Sequence, residues 1–205
     1  MKREFKIKSF CHIKNQEIWK DGQSVFRSES EDFPEFAKSA YRFMDTSYPK
    51  FFKMDNLSKL AFLASEILLK EEILGENENN IALVFSNSAS SLDTDRKHQK
   101  SIEDENGFFP SPAVFVYTLP NICLGEISIR HKLYSENSFF IFARFSAAHL
   151  ELYANNLLRN GKAEKVLSGW VNFDDNTYES FLYLVEDEGE IVHNTEEINR
   201  LYNIL

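Results

Sequence analysis

Five successive apolar residues, Ile81-Ala82-Leu83-Val84-Phe85, follow the polar stretch from Gly75 to Asn80. A strand of that composition has no face to give to water, so it belongs in a sheet covered on both sides. The cover has to come from elsewhere in the chain. The strongest source is Asn56 to Leu74, where Leu60, Leu63, Ala64, Ile67, Leu68 and Leu74 recur at helical spacing and predict one buried stripe. A second helix is predicted from Phe33-Pro34 to Phe43, with Asp32 placed to cap it.

Other segments carry a period of two. From Glu4 to Ile13 the residues Phe5, Ile7, Ser9, Cys11 and Ile13 fall on one side of a predicted strand. Val166 to Trp170 and Ser180 to Val185 read as strands joined across the turn Asp174-Asp175-Asn176. Gly22 and the acidic run Glu29-Ser30-Glu31-Asp32 read as loop, as do Ser86 to Ser91, with Asp93 a candidate cap for a helix behind them. Gly107-Phe108-Phe109-Pro110-Ser111-Pro112 marks a turn, and Ala113 to Leu119 is an apolar segment expected in the core. The end of the chain, Thr195 to Leu205, reads as a capped amphipathic helix with Ile198, Leu201, Tyr202 and Leu205 on its apolar face.

Several function classes are disfavoured by composition. A net charge of −9 is the wrong sign for a general binder of nucleic-acid backbone. Hydrophobic residues make up 43% and include 19 Phe, enough for an aromatic-rich core within 205 residues. Neither a secretion signal nor an apolar run of about 18 residues is present, so the expectation is a cytoplasmic chain without a membrane span. The five histidines, His12, His98, His131, His149 and His193, have no metal-binding spacing, and no cofactor motif is found. Glu186-Asp187-Glu188-Gly189-Glu190 reads as a solvated acidic loop. Cys11 and Cys123 are far apart and read as buried thiols, with a reactive Cys123 as the alternative. Without an internal repeat or low-complexity linker, residues 1–205 are expected to form a single domain.

One stretch combines several motifs. It begins Pro120-Asn121-Ile122-Cys123-Leu124-Gly125-Glu126-Ile127-Ser128-Ile129-Arg130 and continues through Ser135-Glu136-Asn137 to the strand-like Ser138-Phe139-Phe140-Ile141-Phe142. A helix-like segment from Ser146 to Asn160 and then Gly161-Lys162-Ala163-Glu164 follow. This order resembles the N-terminal half of the β-ketoacyl synthases, condensing enzymes of the thiolase fold. Their pattern runs Pro-Asn-x-x-x-Gly-x-x-x-Ile-Arg, Gly-Pro-Asn, a buried strand, Thr-Ala-Cys-Ala-Ser-Gly, a helix with an early His, and Gly-x-Ala-Asp. Upstream, Ser86 to Arg96 stands where the family often has a Gly-rich loop followed by Leu-Glu-Thr-Asp. The resemblance spans most of Asn56 to Val185. It implies a three-layered α/β fold, with a mixed sheet between helices, equivalent to one half of the thiolase-like fold.

Aligned without gaps from His149 to Gly161, the family's acyl-accepting cysteine falls on Arg144. Arginine cannot carry an acyl group and keeps its positive charge. Arg144 reads either as a surface or partner-paired residue, or as a cation holding a carboxylate or phosphopantetheine phosphate. The 205 residues also offer no counterpart of the family's second half, which supplies two catalytic histidines. His149 matches a family helix position and reads first as a packing residue.

The resemblance therefore implies a subunit without the family's condensing chemistry. It would pair with a full-length β-ketoacyl synthase and act like a chain length factor in fatty-acid, polyketide or aryl-polyene biosynthesis; a self-dimer is the other pairing. The family's dimer strand assigns the interface to Ser138, Phe139, Phe140, Ile141 and Phe142. Two alternatives stay open. One is a stand-alone module that binds acyl carrier protein. The other is a weak acyl-transferring enzyme using Cys123, or Ser146 with His149 three residues on, although no acid partner or Gly-x-Ser-x-Gly elbow accompanies them.

Overall fold

A computed structural model describes residues 4–70, 72, 79–103 and 110–205. The five-residue apolar run extends into β4 (Ile81–Asn87), and every residue of that strand is buried. β4 lies between two parallel neighbours, β5 (Asn137–Ile141) and β6 (Lys165–Asp174). Beyond β6 the sheet turns antiparallel, through β7 (Thr177–Glu186) to β1 (Lys6–Lys14), β2 (Glu17–Lys20) and β3 (Gln23–Arg27). The order is β3-β2-β1-β7-β6-β4-β5, with the two-residue β8 (Ile191–Val192) paired to the start of β1. This is a mixed sheet.

Helices cover both faces, as β4 requires. On one side are α1 (Phe33–Phe43), α2 (Asn56–Leu69) and α5 (Ile122–His131), packed over Leu83, Phe85, Leu167, Leu182 and Leu184. On the other, α6 (Ala147–Arg159) and α7 (Thr195–Tyr202) pack over Ala82, Val84, Val166, Phe181 and Val185. Between β4 and α5 the chain also forms α3 (Leu92–Ile102) and the short α4 (Pro112–Val116). The three-layered arrangement expected from the resemblance is the one observed.

Local signals explain most of the element ends. The Asp32 carboxylate accepts from the Glu35 amide at the start of α1, and Asp55 does the same for Ser58 in α2. Leu74, the expected end of α2, lies outside the described residues, as does the first half of the Gly107 to Pro112 turn. Gly169, inside β6, has φ of +149°, and a β-carbon there would stand 2.0 Å from the Phe181 carbonyl oxygen. Only glycine allows β6 and β7 to approach so closely at that point.

Four expectations need correction. The residues from Phe5 to Ile13 do not share one face. A register shift between Ile7 and Ser9 leaves Phe5 and Ile7 on the α6–α7 side while Cys11 and Ile13 face α1 and α2; one extra residue in a bulge reverses a period of two. Gly22, read as loop, is the second residue of an Asp21-Gly22 hairpin turn between β2 and β3, whereas Ser86 and Asn87, also read as loop, are the last two residues of β4. The residue preceding α3 is Ser91, whereas Asp93 lies in its first turn and pairs with Lys97. Finally, α7 ends at Tyr202, so Leu205 is not on its buried face.

The α7 side holds two buried imidazoles. His12 stacks on Phe181 with ring centroids 4.6 Å apart, and His193 Nδ1 lies 2.9 Å from Asn155 Oδ1. Burial, helped by Lys14 near His12 and Arg159 near His193, pushes both down to about 4 from 6.5. Each ring is therefore neutral in the fold, while the unfolded chain takes up a proton below about pH 6.5. Stability should be level above pH 6.5 and fall as pH drops toward 4, by about 3 kcal/mol per histidine at the acid limit. Calorimetry across that range checks this, and His12→Phe should remove about half of the acid sensitivity.

The α2 side is held by a buried ion cluster. Glu66, 1% exposed in the middle of α2, accepts from Arg130 Nη2 at 2.8 Å and Thr46 Oγ1 at 3.0 Å, with His131 Nε2 2.9 Å away. Burial alone would raise its pKa; the hydrogen bonds and charges of His131 and Arg130 outweigh burial and bring it to about 2. Glu66→Ala should cost roughly 3–5 kcal/mol in chemical denaturation, because it strands the guanidinium beside a buried imidazole.

Candidate functional site: the β5 edge and the turn into α6

β5 closes the sheet on one side. It pairs with β4 from Asn137 opposite Leu83 to Ile141 opposite Asn87, and the Phe142 amide extends the ladder to the Asn87 carbonyl at 2.9 Å. Its other edge has no strand partner among the described residues. The sequence left two readings open, a strand buried on both faces or a partnered edge. The geometry is that of an edge: Ser138, Phe139 and Phe140 are only partly buried, and Ile141 is 51% exposed.

Side chains of β5 nevertheless point into both layers. Phe139 packs against the core under α2 and α5, and Phe140 against the core under α6. Ser138 Oγ lies 2.8 Å from Tyr153 Oη on α6. Around Phe140 an aromatic box forms. The His149 ring meets Phe140 edge-on at 4.6 Å and Phe142 edge-on at 4.9 Å, and lies parallel to Tyr153 at 6.4 Å. These contacts fix His149 as a packing residue of the β5–α6 junction, and its Nε2 is buried without a hydrogen-bond partner among the described residues.

The turn between β5 and α6 carries Arg144. Its side chain is exposed, and among the described residues it enters no hydrogen bond or ion pair. Ser146 precedes α6 but makes no side-chain capping bond, and no hydrogen bond joins it to His149 among the described residues. Ser146 and His149 are thus close along the chain without forming a nucleophile–base pair. Cys123 sits on α5 with 1% exposure, and burial pushes its thiol well above the usual value. A buried thiol held protonated is a poor nucleophile. Cys11 is fully buried and shifted in the same direction by the same cause.

Features of this region lie beyond what sequence reasoning found. Ala113 to Leu119 was expected in the core, yet Phe115, Val116 and Leu119 are all about half exposed or more; only Tyr117 turns inward, donating to Glu126 at 2.8 Å. The reason is the register of a one-and-a-half-turn helix, which an apolar run cannot disclose. On α5, which packs against β5, Ile129 is also exposed. Arg130 lies in the last turn of α5, where a cation is favoured, and its guanidinium is engaged there by Glu66. The acidic run after β7 begins with Glu186, which pairs with Lys8 and Lys165. Among the described residues, no three His, Cys, Asp or Glu side chains gather in a metal-holding group, and no helix is long and apolar enough to cross a membrane.

No family model matches the sequence, and no curated protein matches it. Solved structures do match by fold. The ishigamide ketosynthase/chain length factor aligns with a TM-score of 0.64 at 18% identity, over 89% of this chain and 62% of that one. The ketosynthase ApeO in complex with its chain length factor ApeC, from Xenorhabdus doucetiae, gives 0.58 at 14% identity over 91% and 80%. A β-ketoacyl synthase from Burkholderia phymatum gives 0.60 at 12% identity over 92% and 60%. The chain has the ketosynthase-like thiolase fold. It spans about 62% of the length of the ishigamide protein.

Two consequences are measurable. Arg144→Ala should change unfolding free energy by less than about 0.5 kcal/mol, as for an exposed residue without partners. Iodoacetamide at pH 8 should leave both cysteines of the native protein unmodified and label both after denaturation, read by intact mass.

Proposed function

We propose that this chain is a non-catalytic, chain-length-factor-like subunit that pairs along β5 with a full-length β-ketoacyl synthase. The observation that carries the reading is a β5 edge with no strand partner among the described residues; the motif order, which would put Arg144 at the family's cysteine position, supports it. An exposed edge strand is a hazard for a lone protein, and a matching strand from a partner removes it. The exposed apolar side chains Ile141, on β5, and Ile129, on the neighbouring α5, would be covered by the same contact. The ishigamide and Xenorhabdus structures support the reading by analogy, since their descriptions pair a ketosynthase with a chain length factor.

In this reading the residues of the edge have separate tasks. Ser138 to Phe142 offer backbone donors and acceptors to the partner strand. The Phe140–His149–Tyr153 box holds that strand in place from behind. Arg144, charged and free to move, would face the partner at the junction where acyl groups pass, and there it can pair with an anionic group but cannot form a thioester. A self-dimer through the same edge is the competing assembly. Acyl carrier protein is proposed only as a partner of the assembled pair; it appears in the description of another matched structure, an acyl-carrier protein in complex with its ketosynthase.

The test is affinity purification of a tagged chain from its own cells, with native mass and identification of what accompanies it. A β-ketoacyl synthase in equal amount is the expected result. Ile141→Lys should break the pair while shifting the chain's own stability by less than about 0.5 kcal/mol, since the residue is exposed. Recovery as a monomer, or condensation of malonyl-carrier protein by the isolated chain, would overturn the proposal.

A further inference from the structure

A cavity of about 250 Å³ opens between the start of α2, the first turns of α3 and the start of α4. Its floor is apolar, made by Met54, Val114 and Tyr117, of which Met54 and Tyr117 are buried. Three ammonium groups ring it, from Lys53, Lys59 and Lys97. In a chain of net charge −9, three cations on one small cavity are a local reversal of sign.

The anions at hand do not account for them. Lys97 pairs with Asp93 at 2.6 Å, four residues earlier on α3. Asp55 borders the cavity but is otherwise engaged: its carboxylate caps the Ser58 amide at 2.9 Å and accepts from the Thr94 hydroxyl at 2.9 Å. Burial raises its pKa, and its charge acts on Lys59 from across the cavity without a bond to it. Lys59 is half-buried and enters no hydrogen bond or ion pair among the described residues, and burial lowers its pKa. An ammonium removed from water without a bonded partner is destabilising, and a bound anion would reverse that cost.

We infer that this cavity binds a phosphate monoester, with Lys53, Lys59 and Lys97 around the phosphate and the organic group on Met54, Val114 and Tyr117. Lysines act on phosphate as mobile point charges and need no planar geometry, and a dianionic phosphate can engage both Lys53 and Lys59, the two lysines without an ion pair among the described residues, where a carboxylate of single charge would match one. The size also fits: about 250 Å³ holds a phosphate and a small ring or short chain, and little more. Free phosphate would use the lysines alone and leave the apolar floor bare. The site is separate from the β5 edge and does not depend on any assembly through it.

Phenyl phosphate and inorganic phosphate are the probes. Titration followed by backbone amide shifts should give saturable changes at residues 53–59 and 94–97, with phenyl phosphate binding more tightly and both weakening as salt is raised. Lys59→Met should weaken phenyl phosphate about tenfold, as for loss of one charge-assisted contact, and Lys97→Gln should weaken it in the same direction. Stronger binding of inorganic phosphate than of the ester would overturn the assignment of the floor. Absence of saturable shifts at these residues, or unchanged affinity in both variants, would overturn the site.

Discussion

Glu66 is the charge around which one whole layer is arranged. It sits in the middle of a helix whose other buried residues are mostly apolar, and its carboxylate is reached from three directions: the Thr46 loop, the end of α5, and the neighbouring imidazole. A buried carboxylate demands partners of this kind, and the demand fixes where α5 lies. α5 in turn lies against β5. The edge strand is thus held on one face through a chain of contacts that begins with a single ionised group, and on the other by the aromatic box around His149.

The two supports differ in kind. Ion pairing at Glu66 is directional and intolerant of loss, because removing one partner leaves another charge buried. The box of Phe140, Phe142, His149 and Tyr153 is made of offset and edge-on rings, each pair contributing modestly and tolerating small adjustments. In the proposed pairing, a strand accepting a partner along its free edge would be well served by one rigid and one yielding side. Arg144 follows three residues after that strand, in a turn held on either side of it by the Phe142 amide on the Asn87 carbonyl and by Phe145 stacked on Tyr202.

How much of this was legible depended on whether the signal was local. The run Ile81 to Phe85 required a sheet covered on both faces, and Asp32 and the Asp174-Asp175-Asn176 turn could be placed because caps and turns are decided within a few residues. Asp21-Gly22 carried an equally local hairpin signal that was read as loop. The bulge near Ser9 carried none, and it moved Phe5 and Ile7 to the opposite face from Cys11. The same division runs through the site. The expectation that Arg144 stands at the nucleophile's position rests on motif order alone; that β5 is an edge, that Arg130 serves Glu66, and that Phe115 and Leu119 face outward all depend on contacts between distant segments.

The two parts of the proposed reading, a missing nucleophile and an interface strand beside it, are under different physical constraints. A catalytic cysteine needs a depressed pKa, an exposed position and an aligned base, and the chain provides none of these at Cys11, Cys123 or the Ser146–His149 pair. An interface strand needs only an unpaired backbone, adequate support from behind and apolar neighbours to bury. Arginine in the turn satisfies the second set of requirements and violates the first. Its charge would be disfavoured in a closed acyl tunnel without a counter-ion, so in the proposed pair Arg144 would lie against an anionic group of the partner or its ligand rather than against an acyl chain.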